Sequence, residues 1–432
     1  MNSRLDLLEK ALACIAAFIF TGGIVELVLS GGADEISIEY DNTYFRVFFP
    51  QLYLILIGLL SLRWRKVLAV IRCNWLIVAL IVFTAVSFLW SDSPSLTLRR
   101  NVALVGTSFL GLYLASRYTF KEQLHLLGWL CGVTVASSIA FAVLVPQLGI
   151  SVGSHAGAWR GIFAHKNGLG DAMVISSLTF LVLAIDAQRL KWLMWSALAA
   201  SVALVFLSES VGSLLSLAVP LTAFPIYRSL RWRYSQLVPF VLLVLLVSSV
   251  SAGWLWLNFD QVMISLGKDP SLTGRTEIWS LTIDSILRQP WLGYGYKTFW
   301  QDGLEGPSAY VFRAMGVGEY LPPHAHNGIL QLSLDIGVVG VVIFLLGFWR
   351  CLLTSIHWVR SGGNGLCFWP LLFLSYMVVT NMSESRILSY NSFDCVLYFS
   401  TAFSLGQPLE LLEPLKSSPV ADSKALTAKG YI

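Results

Sequence analysis

Three short segments concentrate residues able to bind an anion or move a proton. Trp159-Arg160-Gly161-Ile162-Phe163-Ala164-His165-Lys166-Asn167 crowds Arg, His and Lys at the mouth of an apolar block. Guanidinium forks match phosphate oxygens, and the start of a helix adds backbone N–H donors, so this segment suits a phosphate. A belt of basic side chains snorkelling to lipid headgroups would look the same. Ser271-Leu272-Thr273-Gly274-Arg275-Thr276-Glu277-Ile278-Trp279 opens a second segment. Thr273 suits an N-cap, and Ile278, Trp279, Ile283, Ile286 and Leu287 recur at helical spacing until Gln289-Pro290. That pattern predicts an amphipathic surface helix with Arg275 in its first turn. Pro322-Pro323-His324-Ala325-His326-Asn327-Gly328 is the third. No Asp, Glu or Cys follows the two histidines at ligand distance, so no metal is expected. A neutral imidazole there is instead placed to accept a proton.

Two acids stand apart from these basic clusters. Glu384, in Asn381-Met382-Ser383-Glu384-Ser385-Arg386, falls at the end of an apolar block, where an ionised group is costly without a function or a partner. It is read either as part of a substrate site or as an ion pair with Arg386. Glu209, in Ser208-Glu209-Ser210, marks a turn.

The elements that must position these residues are hydrophobic. The 432 residues are 56% hydrophobic and 12% charged, about half the charge fraction of a soluble domain. Apolar blocks of roughly 17 to 22 residues match about 30 Å of hydrocarbon. About twelve spans are expected, roughly at 8–29, 46–62, 74–90, 101–116, 124–145, 169–185, 191–207, 211–226, 237–257, 328–348, 365–382 and 391–406. The first block has no convincing cleavage site and reads as a retained helix. Arg63, Arg65, Lys66, Arg117, Lys121, Arg189, Lys191, Arg228, Arg231, Arg350 and Arg360 then fall in loops on one side. The positive-inside rule makes that side cytoplasmic.

The three basic clusters lie on the other side, with an acidic first loop (Asp34, Glu35, Glu39, Asp41). The expected organisation is helices 1–9 over residues 1–257, a long outer loop over 258–327, helices 10–12 over 328–406 and a cytoplasmic tail over 407–432. Long loops in tight proteins concentrate function. The net charge of +4 comes largely from short inter-helix loops, so no nucleic acid partner is expected. The six cysteines lie in or beside apolar blocks without a C-x-x-C pair, which argues against a disulfide framework or a zinc site.

Taken in order, Arg160-Gly161-Ile162-Phe163-x-His165-Lys166-Asn167-x-Leu169-Gly170, Thr273-Gly274-Arg275-x-x-x-Trp279, Pro290-Trp291-Leu292-Gly293-Tyr294-Gly295 and His326-Asn327-Gly328-x-Leu330-Gln331 resemble the O-antigen ligase and O-antigen polymerase superfamily. The wording of the first stretch is similar to the exopolysaccharide-production polymerase branch. The resemblance implies an all-α polytopic membrane glycosyltransferase of GT-C type, in a bacterial inner membrane with its site toward the periplasm. Its donor would be an undecaprenyl-diphosphate-linked oligosaccharide, used without metal or cofactor and with inversion. The arginines at 160 and 275 would hold the diphosphate, and His326 would deprotonate the acceptor hydroxyl. His165, Lys166, His324 and Glu384 join them as substrate-binding candidates. Expected partners are membrane lipids and the flippase and chain-length regulator of such a pathway.

The reading favours a polymerase of repeat units. A ligase that moves finished glycan to lipid A core or another acceptor uses the same residue chemistry. Two rivals differ in kind. A polyprenyl-monophosphate-sugar transferase would use an acidic pair such as Asp34-Glu35 as acid and base. A lipid-linked-glycan flippase would show repeats, broken helices and midplane charges.

Overall fold

A computed structural model of the chain describes residues 3–29, 43–258, 261, 275–300, 306–315, 323–362 and 364–408. Within them the protein is helical, apart from one isolated bridge between Ile150 and Trp159. In chain order the helices are α1 (Ser3–Phe20), α2 (Gly23–Leu29), α3 (Thr43–Ser61), α4 (Trp64–Cys73), α5 (Trp75–Val86) and α6 (Pro94–Arg117). There follow α7 (Phe120–Leu144), α8 (Pro146–Gly149), α9 (Lys166–Asp186), α10 (Lys191–Leu207), α11 (Val211–Ser229) and α12 (Tyr234–Leu257). The last are α13 (Arg275–Arg288), α14 (Ala309–Ala314), α15 (Gly328–Arg360), α16 (Trp369–Thr380) and α17 (Phe393–Leu405). The acidic first loop, Thr273 and most of the expected tail lie outside the described residues.

The chain is a multi-pass membrane protein, but the count of full spans differs from the twelve expected. Among the described residues, five helices (α7, α9, α11, α12 and α15) are long and apolar enough to cross a bilayer. The run from α4 into α5, bent by 92°, is a sixth candidate. The reasons differ block by block. The block at 8–29 breaks at Gly22, whose φ of +74° suits the left-handed turn between α1 and α2. α10 covers the expected 191–207 but at 17 residues is short. α16 and α17 are shorter again. α6 is long but mixes Arg99, Arg100, Asn101 and several hydroxyls into its turns.

α9 runs through the middle, packed on α7, α10, α11 and α16. It is apolar on nearly every face (Met173, Val174, Leu178, Phe180 and Val182 are all buried), as a helix surrounded by others must be. At one end of the bundle, the Glu9 carboxylate collects Arg63 at 2.8 Å, the Tyr113 hydroxyl at 2.8 Å and Arg117 at 3.2 Å. Arg350 and Arg360 donate to the carbonyls of Cys73 and Leu230 at the same end. This is the end that the basic loops of the sequence marked.

The opposite end is organised by a broken helix. α15 loses helical geometry at Ile336 and Gly337, and the segment Pro290–Gly295 fills the gap. Tyr294 N–H donates to the Leu334 carbonyl at 2.7 Å, and Val338 N–H to the Pro290 carbonyl at 2.8 Å. Groups freed by the break thus find partners, as buried backbone must. Gly293 at φ +66° lies against the Leu334 carbonyl, and Gly337 at φ +63° against that of Trp291, so a side chain at either would overlap backbone. α13 packs on α15, with Ile278, Thr282 and Ser285 buried and Leu287 exposed. The amphipathic helix is where its spacing predicts.

Candidate functional site

At the outer end of α15, Asn327 caps the helix: its side chain accepts from Ile329 and Leu330 N–H, both at 3.1 Å. The cap fixes where the preceding turn points. His326 sits at φ +49°, a left-handed conformation that a non-glycine residue adopts only when its surroundings compel it. Ala325, between the two histidines, is held on both sides. Its N–H donates to Gln331 Oε1 at 3.1 Å, and its carbonyl accepts from the Trp279 indole of α13 at 3.0 Å. Arg275, one turn upstream of Trp279, is thereby tied to the histidine turn.

The turn after α16 completes the cluster. Gly328 N–H donates to the Asn381 carbonyl at 2.8 Å, and the Asn381 side chain accepts from Arg386 and Ile387 N–H at 2.8 and 2.9 Å. A Cβ on Gly328 would overlap that amide, so only glycine fits. Glu384 comes within 3.9 Å of His324 Nε2, and the rings of His324 and His326 are 4.1 Å apart. His324, His326 and Glu384 bring three candidate metal-ligand atoms within 4.8 Å of one another. The expectation that no carboxylate lies near the histidines is corrected here, because the acid arrives from another element. The field works against a cation. Burial first, then His326, Lys297, Arg386 and Arg275, holds His324 well below the usual histidine range. Burial, then Arg275, pushes His326 down to about 4. Burial raises Glu384. His326 N–H also donates to His324 Nδ1 at 3.1 Å, which places the proton of a neutral His324 ring on Nε2, toward Glu384. A metal at that nitrogen would have to displace the proton. Two neutral imidazoles under nearby cations suit an anionic ligand better.

Arg160 departs from expectation. It is fully buried, and its guanidinium donates to the carbonyls of Leu148 at 2.9 Å and of Gln147 and Ala164 at 3.4 Å. Its own N–H and that of Gly161 bind the Gly149 carbonyl. The arginine braces its own loop and does not present its fork to the Arg275–His326 cluster. His165 caps α9 by accepting the Asn167 N–H at 3.2 Å, and Lys166 Nζ reaches the Glu209 carbonyl at 3.4 Å.

The guanidinium beside the cluster is Arg386. It pairs with Asp171 of α9 and, at 2.9 Å, with Asp394 of α17, rather than with Glu384. Ser213 donates to Asp171 at 2.8 Å and Tyr376 to Asp394 at 3.1 Å. A second inner network was also missed. Lys297 Nζ lies 3.9 Å from the buried Asp335, which accepts from Gln331 at 2.8 Å. Gln331 takes the Trp300 indole at 2.9 Å, and Arg100 donates to the Lys297 carbonyl. The signals were single acids inside apolar runs: Asp171 in Leu169–Val174 and Asp335 in Leu332–Val339.

Residues 196–345, which hold Arg275, the Pro290–Gly295 segment and both histidines, match the family model described as O-antigen ligase. Over that stretch the chain is similar to the O-antigen ligases. It is 23% identical over 320 residues to the exopolysaccharide production protein ExoQ of Rhizobium meliloti, covering 71% of each chain. It is 23% identical over 318 residues to a putative polysaccharide ligase of Rickettsia felis, covering 72% of this chain and 74% of that one. A chain from a solved peptidoglycan synthase complex aligns at 17% identity and a TM-score of 0.39, over 79% of this chain and 96% of that one. That overlap is too loose to support an argument about fold.

Proposed function

We propose that this membrane protein is an inverting glycosyltransferase that joins glycans carried on undecaprenyl diphosphate, polymerising repeat units at the periplasmic face of a bacterial inner membrane. The observation that carries the reading is the meeting of Arg275 and His326, 51 positions apart in sequence, through the Trp279–Ala325 hydrogen bond. His326 takes the proton from the acceptor hydroxyl as that oxygen attacks the anomeric carbon. The anomeric carbon–oxygen bond breaks, and polyprenyl diphosphate leaves with the electron pair. Arg275 lies where that charge grows, and donors placed in advance at such a point are worth a few kcal/mol each.

The electrostatics add a control. Burial first, and then the charge of Arg275, holds His326 in its neutral, weakly basic form. A diphosphate beside Arg275 cancels that repulsion and strengthens the base only once the donor is bound. Glu384 positions His324, the second imidazole of the pair, beside His326. Arg160, His165 and Lys166 shape the neighbouring loop, so of the two arginines expected at the diphosphate it is Arg275 that takes the role.

The descriptions of the family and of the Rickettsia relative as ligases favour a second reading, in which a finished glycan is moved to lipid A core or another acceptor. The exopolysaccharide relative fits the first. Arg275→Ala and His326→Ala, with membrane levels checked, are expected to abolish product while lipid-linked precursor still reaches the outer leaflet. Precursor trapped on the inner leaflet would instead identify a flippase and overturn the proposal. In a strain lacking the protein, single repeat units identify the polymerase and full-length chains left on the carrier identify the ligase.

A further inference from the structure

On the far side of Arg386 from Glu384, a cavity of about 250 Å³ opens between the ends of α1, α9 and α17. We propose that it is a saccharide subsite, which takes one neutral, hydroxyl-rich sugar unit of the lipid-linked glycan. The inference rests on the transferase reading and assigns it a second place of contact.

Size comes first. The cavity falls below the roughly 300–1,000 Å³ usual for drug-sized ligands, the scale of a single ring rather than of a lipid chain. The lining is mixed in the way a sugar requires. Phe20, Phe163 and Phe393 supply apolar walls for C–H faces, whereas Asp171, Asp394 and Asn391 supply polar atoms. A carboxylate has about four lone-pair sites. Asp171 uses them for Ser213 and Arg386, and Asp394 for Tyr376 and Arg386, so both retain capacity for hydroxyl donors. His165, whose Nδ1 accepts the Asn167 N–H, also lines the cavity.

Charge separates this space from the cluster next to it. Two carboxylates flank one guanidinium that is already engaged on both sides. A diphosphate entering here meets net negative charge, while a neutral sugar is hydrogen-bonded without that penalty. Glu384 and Arg386 belong to one turn, and Arg386 acts electrostatically on both Glu384 and His324. The cavity and the histidine cluster therefore share a wall. A sugar on one side lies next to a diphosphate on the other, in the order in which a lipid-linked glycan carries them.

The test fills the cavity without touching its charges. Ala172 lines it, and Ala172→Leu adds bulk. Gly168→Ala is the milder variant: the nearest atoms to a Cβ there belong to Phe163, at an ordinary 3.4 Å, so the fold accommodates it. Full-length protein in nanodiscs is titrated with polyprenyl diphosphate bearing an oligosaccharide repeat and with bare polyprenyl diphosphate. Ala172→Leu is expected to weaken the glycan-bearing lipid about tenfold, the equivalent of one good contact, and to leave the bare lipid unchanged. Gly168→Ala should follow in the same direction with a smaller effect, and decides the matter if Ala172→Leu lowers the melting temperature. Equal weakening of both lipids, or of neither, overturns the subsite. Arg275→Ala weakens both lipids if the transferase reading holds. If the unaltered protein binds neither lipid, that reading falls and the subsite falls with it.

Discussion

The loop from Arg160 to Lys166 and the turn from His324 to Gly328 present similar chemistry at similar places, basic and imidazole groups just before a helix, yet they are built in opposite ways. In the first, the arginine is fully buried and its guanidinium donates to carbonyls 4 to 13 positions away in the same stretch of chain. In the second, the polar groups are half-buried and their neighbours come from α13, α15 and the turn after α16. A guanidinium near a helix start is thus not in itself an anion site, because nearby carbonyls can use all of it. What distinguishes a reactive cluster is groups from distant segments that leave each other incompletely satisfied.

That contrast can be broken by substitution. His326→Ala and Arg275→Ala should each lower transfer by roughly 100- to 10,000-fold with little loss of folded protein, measured as polymer per unit of protein in membranes. Arg160→Ala should do the reverse. Losing a buried guanidinium leaves three carbonyls without their donor, and destabilisation of about 3 kcal/mol is expected, seen as a lower melting temperature in detergent. If Arg160→Ala melts normally but transfers nothing, the comparison is wrong and the loop arginine belongs to the chemistry.

The pH profile sharpens it further. With His326 at about 4, the acid limb of kcat/KM in the free enzyme should fall near pH 4 rather than near the usual 6.5. Stability should move the same way: between pH 6.5 and 4 the unfolded chain binds the proton that the folded one refuses, so stability declines as pH falls through that window. An acid limb at 6.5 would mean that the imidazole is neither buried nor faced by Arg275. The smallest effect is expected at Lys166, whose one described contact is a 3.4 Å approach to the Glu209 carbonyl. Lys166→Ala should change the rate by less than about twofold, as exposed ionic contacts usually do.

Most helices were legible in the sequence because hydrophobic blocks and their breaks are local. α9, α10 and α13 fall within about three residues of their expected bounds. Arg275 and His326 were legible because each stands beside a helix start, in a segment resembling a known family. Their neighbours were not. Glu384 suggested a pairing with Arg386, two positions away, yet Glu384 lies against His324 and Arg386 pairs with Asp171 and Asp394, all from other elements. Lys297 follows a glycine-rich turn with nothing local to mark it, and its partner Asp335 is set by the insertion of that turn into a broken helix. Spacing along a chain records one helix face at a time, and these partners lie across faces.

The double grip on Ala325, by the Trp279 indole on its oxygen and the Gln331 amide on its nitrogen, reaches beyond the turn itself. It makes the gap between the guanidinium of Arg275 and the ring of His326 a matter of two short bonds, independent of how many residues connect them. The length of that connection can therefore change without moving the two groups apart.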